Sequence, residues 1–220
     1  MCFSPEMDAV TGAAVVVIGV DAYRHSRDRS DHLLLATLPL LLGAHQLIED
    51  FVWWGLQGHV SAAIGRVALY AYLFIAFVVL PVFVPLAIVV LEPTREQKWR
   101  LAPFVALGGF VSTVLLIALV RGPVSASLAP WHLSYSISLD NGLLIVALYV
   151  VAICGATLFS GYRHIAVFGL ANLVVVGVLA TLTLDGFASL WCVWAAVSAG
   201  AIALHMRYAK PHRDAPYVLT

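Results

Sequence analysis

The chain has 220 residues, 62% of them hydrophobic and 11% charged, with 12 Lys+Arg against 12 Asp+Glu and a mean hydropathy of +0.95. Soluble domains carry roughly a quarter of their residues as charged ones, so this composition specifies a membrane protein whose first partner is the lipid bilayer. No basic surplus is available to neutralise phosphates, which argues against nucleic acid as a partner.

A transmembrane helix needs roughly 20 apolar residues to cross the hydrocarbon core. Seven such runs follow one another, at residues 8–23, 33–56, 62–91, 101–120, 142–159, 165–184 and 187–206. The expected fold is all-α, a single domain over residues 1–220 with seven transmembrane helices. The first run is short, and Met1–Asp8 before it has neither a positive charge nor a small-residue cleavage site, so it reads as a retained span rather than a removable signal. The third is long enough to tilt or bend, with Pro81 and Pro85 predicting a kink; Pro39 and Pro103 predict milder irregularities.

The positive-inside rule orients the chain. Arg24, Arg27 and Arg29 separate runs one and two, Arg95, Lys98 and Arg100 separate three and four, Arg163 separates five and six, and Arg207, Lys210 and Arg213 lie in the tail. The opposite set of loops, including residues 121–141, which read as an outer loop, carries only Arg121. The amino terminus is therefore expected outside and the carboxyl terminus in the cytoplasm of a multi-pass plasma-membrane protein. Trp53, Trp54, Trp131, Trp191 and Trp194 then fall towards the outer interface and Trp99 at the inner one.

The second run holds most of the polar chemistry, in "GAHQLIEDFVWWGLQGH" at residues 43–59. Helical spacing puts His45, Glu49 and Trp53 on one stripe and Gln46 with Asp50 on the next. Each ionised group left facing lipid would cost about 2.5–3.5 kcal/mol, so the stripe is expected to face protein. Arg66, early in the third run, is the expected counter-ion for Glu49 or Asp50. The pairing reads either as an ion pair locking two helices together or as a ligand- or proton-handling site. Cys2, Ser4, Glu6, His132, Asp140, Asn141 and Asp185 are expected near the same level. Cys154 and Asn172 are the main buried polar residues of the inner half, and Asp21 and His205 lie near inner helix ends.

Cys2 and Cys192 both fall near the outer surface on this topology, as a disulfide in an oxidising compartment or as a thiol pair. His45, Glu49 and His132 form the candidate metal set, and a metal or haem is the candidate cofactor. The only lysines, Lys98 and Lys210, are on the cytoplasmic side, so no lysine is available for a retinal Schiff base. The last run has His205 alone and no HxxxH pair, which separates the chain from seven-span zinc hydrolases. It contains no GxSxG elbow, P-loop or GxGxxG.

Three segments, "MCFSP" at residues 1–5, "HQLIEDFVWW" at 45–54 and "SLWCVWAA" at 189–196, resemble an uncharacterised family of bacterial integral membrane proteins. The resemblance spans the chain and rests on Cys2, Ser4, His45, Gln46, Glu49, Trp53, Trp191 and Cys192. It implies no activity. The chain departs from that family's pattern in having Asp50 in place of glycine and His45 in place of the commoner glutamine. The leading expectation is a buried polar site for a small ligand, cofactor or metal in the outer half of the bundle, formed by His45, Gln46, Glu49, Asp50, Trp53 and Arg66 and closed by the amino-terminal segment. Two other classes stay open: a non-catalytic accessory or scaffold subunit of a membrane complex, and a metal- or thiol-dependent membrane enzyme.

Overall fold

The structure is a computed structural model that describes residues 4–129, 132–182 and 187–208, with side chains described for all of these except 179–193. The expected pairing of Cys2 with Cys192, and the expectations for Asp185, Trp131 and Trp191, lie outside the described residues. The described chain is mostly helical. Its helices are α1 (Pro5–Ser26), α2 (Ser30–Gln57), α3 (Ala62–Leu91), α4 (Arg95–Arg121), α5 (Gly142–Leu158), α6 (Arg163–Leu182) and α7 (Phe187–Tyr208). Each overlies one of the seven apolar runs. By length and composition, α2, α3 and α4 are able to cross a membrane.

Polar punctuation sets the ends of these helices. Ser4, Ser61 and Thr94 each accept a hydrogen bond from a first-turn N–H of α1, α3 and α4, and Pro5 occupies the first turn of α1, where a missing N–H costs nothing. α2 stops at Gly58, whose φ of 79° is left-handed and whose N–H returns to Gly55 and Trp54. Small residues then bring helices together. A Cβ on Gly19 would lie 2.7 Å from the Leu40 nitrogen, and one on Gly43 2.8 Å from the Val16 nitrogen, so α1 and α2 touch nearly backbone to backbone. Gly55 and Gly65 make the same kind of approach between α2 and α3. α7 packs against both α1 and α2, where Val15, Leu42, Ile88, Ala199, Ile202 and Met206 belong to the largest buried apolar cluster.

α3 is irregular one turn before Pro81, where residues Ile75–Val79 form a π-helical turn. Leu80 N–H reaches back five residues to the Ile75 carbonyl. Pro81 has no N–H to continue the ladder, and its ring would crowd the carbonyl four residues back, so the extra residue widens the helix there. The kink expected from the prolines thus takes the form of a π turn on the N-terminal side of Pro81.

Residues 121–141, expected as a loop, contain an antiparallel hairpin of β1 (Val124–Leu128) and β2 (Leu133–Ile137), with Val124 opposite Ile137, Ala126 opposite Tyr135 and Leu128 opposite Leu133. The segments "VSASL" and "LSYSI" alternate apolar residues with serine, the period of a strand with one face buried. Val124, Ala126, Leu133, Tyr135 and Ile137 pack onto Val52, Trp53, Leu69, Tyr72 and Leu119, so the hairpin covers the end of the bundle formed by α2, α3 and α4.

α4 approaches the π turn through Gly108, whose added Cβ would overlap the Pro81 carbonyl, whereas a Cβ on neighbouring Gly109 would meet nothing within 4 Å. Gly108→Val is therefore expected to destabilise the protein by about 1–3 kcal/mol, read as a lowered Tm in detergent, while Gly109→Ala leaves the Tm unchanged or slightly raised. Equal melting of the two variants would contradict this packing.

Candidate functional site

Beneath the hairpin, α1, α2 and α3 bury a polar cluster. Asp8, His45, Gln46, Glu49, Asp50 and Trp53 are all buried, Asp8 and Glu49 completely. The Trp53 indole donates to Asp8 Oδ2 at 3.2 Å, and the Tyr135 phenol donates to Glu49 Oε1 at 2.9 Å. The second bond ties the hairpin to α2 across otherwise apolar packing. His45 and Tyr72 stack with centroids 4.0 Å apart, and Tyr72 and Tyr135 stack at 4.9 Å, giving a three-ring column from α2 through α3 to β2. At the foot of the column the His45 ring nitrogen Nε2 lies 3.1 Å from the Tyr72 carbonyl. A carbonyl can only accept, so Nε2 carries the hydrogen; in the neutral ring Nδ1 is then an acceptor.

Two expectations for this region require correction. Arg66 is exposed and makes no ion pair or hydrogen bond among the described residues, so it is not the counter-ion of Glu49 or Asp50. The cause is local. Gly65 must face α2 for the two backbones to touch, and the next residue lies about 100° further round the helix. The metal set of His45, Glu49 and His132 is not assembled either. Among the described residues no group of three His, Cys, Asp or Glu side chains is placed to hold a metal ion. His132 sits at the hairpin turn, partly exposed, its carbonyl accepting from Ala129 N–H, while His45 and Glu49 are engaged with Tyr72 and Tyr135. Asp140 is exposed, Ser4 caps α1, and Asp21 forms a two-bond pair with Arg207 at 2.7 and 2.8 Å.

His45 and Gln46 also form the polar part of the wall of a cavity of about 290 Å³ that runs from the π turn of α3 towards α5, α6 and α7. Ala76, Phe77 and Leu80 line it from α3, Leu115 from α4, and Ile145, Val150 and Ile153 from α5. Its remaining polar neighbours are bonded within the scaffold. The Tyr149 phenol donates to the Ala76 carbonyl at 2.8 Å, and Asn172 donates to Cys154 Sγ at 3.4 Å while accepting from the Trp194 indole at 2.5 Å. Cys154 is a buried, free thiol. The lining includes Val146, which is half exposed and so marks a side opening through the bundle wall.

Sequence reasoning singled out the α2 stripe but missed Asp8, Tyr72, Tyr135 and Tyr149. An acid three residues into an apolar helix was a detectable signal for Asp8. The tyrosines carry no such signal, because their roles depend on which carbonyl or carboxyl lies opposite.

Glu92, at the other end of α3, was also missed. It is fully buried where the α3–α4 and α5–α6 turns meet. Its Oε1 accepts from Ser160 Oγ at 2.6 Å and from Gly161 N–H at 2.9 Å, and Gln97 donates to the Phe159 carbonyl beside it at 2.8 Å. A Cβ at position 161 would stand 2.8 Å from Glu92 Oε2, so glycine leaves room for the carboxyl.

The structure thus defines a helical protein with membrane-length helices, a hairpin cap and an apolar cavity walled on one side by His45 and Gln46. The chain belongs to the family described as "Family of unknown function (DUF6629)", which it matches over residues 1–216. No curated protein and no solved structure matches it.

Burial raises the proton affinity of Glu92 above the ordinary carboxyl value of 4.5, and the hydrogen bonds from Ser160 and Gly161 with the Lys98 charge only partly offset this. The folded protein therefore binds this proton more tightly than the unfolded chain does. The contribution to stability is full below pH 4.5 and is lost as pH rises through the raised value. Relative to Glu92→Gln, the wild type should lose Tm steadily as pH is raised from 4 through that window; a constant Tm difference across it would contradict the assignment.

Proposed function

We propose that this protein is a seven-span, multi-pass protein of a bacterial plasma membrane, amino terminus outside and carboxyl terminus in the cytoplasm, and that it binds a small apolar molecule within the bundle. Support for the membrane placement comes from the exterior of the helices, where Val67, Val120 and Leu143 are 70%, 77% and 79% exposed. Such surfaces suit lipid and not water. The loop charges favour the orientation.

One observation carries the ligand reading: a cavity of about 290 Å³ whose lining is apolar except at a few side chains, with His45 and Gln46 side by side in one wall. Small-molecule sites have this composition, a large apolar surface with a few placed polar groups that orient the ligand. The polar cluster above it holds His45 in place through the ring column, so the wall is rigid where specificity is needed. Tyr149 and Asn172 are committed to the scaffold, which favours binding over turnover.

The test is whether the full-length protein, extracted in mild detergent, retains an apolar small molecule. Solvent extraction and mass spectrometry should find one compound enriched over bulk lipid, and filling the cavity with Ile153→Trp or Val176→Phe should remove it while the variants still melt cooperatively. A retained fraction with the composition of bulk lipid, unchanged in both variants, would overturn the reading.

A further inference from the structure

We infer that the molecule taken up by this cavity is an alcohol or phenol on an apolar body, an isoprenoid or aromatic alcohol by class, which donates its O–H to His45 Nδ1. The inference rests on the cavity being a binding site. It follows from how the hydrogen-bonding capacity of His45 has been spent.

His45 is one of the few polar side chains in the lining, and its one N–H is committed to the Tyr72 carbonyl. That bond fixes the tautomer, and the stacked Tyr72 ring at 4.0 Å and 15° fixes the ring plane. What the imidazole offers a ligand is therefore an acceptor. The Tyr149 hydroxyl hydrogen is directed to Ala76 O, and Asn172 is bonded to both Cys154 and Trp194, so neither supplies a competing group. A ligand ending in an ether, ester or ketone brings only acceptors and would set a lone pair against a lone pair at His45. A hydroxyl brings the missing hydrogen. A primary amine would bring one too, but as an ammonium it would carry a charge into a wall built from Leu42, Phe77, Leu115, Ile145 and Ile153, at a desolvation cost that a single imidazole does not offset. The rest of the molecule is apolar because the rest of the wall is. Val146 at the side opening allows a chain longer than the cavity to extend into lipid.

The experiment uses full-length protein in nanodiscs of a single phosphatidylcholine, titrated with farnesol and with farnesyl methyl ether, and read by quenching of tryptophan fluorescence and by ligand-bound mass in native mass spectrometry. Farnesol is expected to bind about tenfold more tightly than the ether, the factor one buried hydrogen bond supplies. His45→Phe should bind both compounds alike, and Ile153→Trp neither. If the wild type binds alcohol and ether equally, the hydroxyl inference is overturned while the cavity reading stands. If the wild type binds neither, both fall. The comparison of the two ligands on wild-type protein decides the matter even if His45→Phe fails to fold.

Discussion

The arrangement depends on a break in one backbone ladder. In an apolar interior every carbonyl needs a partner, and after the π turn at Ile75–Val79 the ladder of α3 loses the donor that Pro81 cannot supply. Three side chains from three other helices reach this stretch: His45 of α2 to the Tyr72 carbonyl, Tyr149 of α5 to Ala76, and Ser112 of α4 to Val78. Ala76 is the residue five before Pro81, the position whose carbonyl would continue the π pattern if proline had an N–H. One irregular turn thus dictates where α2, α4 and α5 sit around α3. It also explains why the cavity lies there, since a widened helix fastened by long side chains keeps its neighbours from closing on it, and Tyr72, Ala76, Phe77 and Leu80 are all in the lining.

The polar cluster and the cavity are two sides of the same wall. Above His45, the column through Tyr72 and Tyr135 ends on Glu49, and Trp53 binds Asp8, so the hairpin, α1 and α2 are tied by hydrogen bonds between side chains that are otherwise costly to bury. Below it, the cavity is apolar. This division gives the acids a structural task, holding the cap and the first helix in register. A molecule bound as proposed would meet His45 and Gln46 and not the carboxyls, which do not line the cavity.

Much of the fold is legible in the residues because hydropathy is a one-dimensional signal: the seven apolar runs coincide with the seven helices of the described residues, the largest offset being the start of α4 at Arg95. The hairpin was legible too, in the serine alternation of "VSASL" and "LSYSI", but a short alternating stretch between long apolar runs is easily passed over as loop. The site was less legible. Helical spacing identified the stripe of His45, Glu49 and Trp53, yet the partners on the other elements could not be read, because spacing along one helix says nothing about the rotation of its neighbour. Arg66 shows the point. Charge arithmetic made it the natural partner of Glu49 or Asp50, while the Gly55–Gly65 contact rotates it outward.

The central claim, that a side chain from a neighbouring helix supplies the donor that Pro81 withholds from α3, is tested most directly at Ala76. With a ¹³C carbonyl label on alanine, assigned through an Ala76→Gly reference, solid-state NMR of the protein in bilayers reports whether that oxygen accepts a hydrogen bond. In Tyr149→Phe the Ala76 carbonyl resonance should move upfield to the position of a free carbonyl while the other alanines stay in place. An Ala76 resonance that does not change when the phenol is removed would contradict the account.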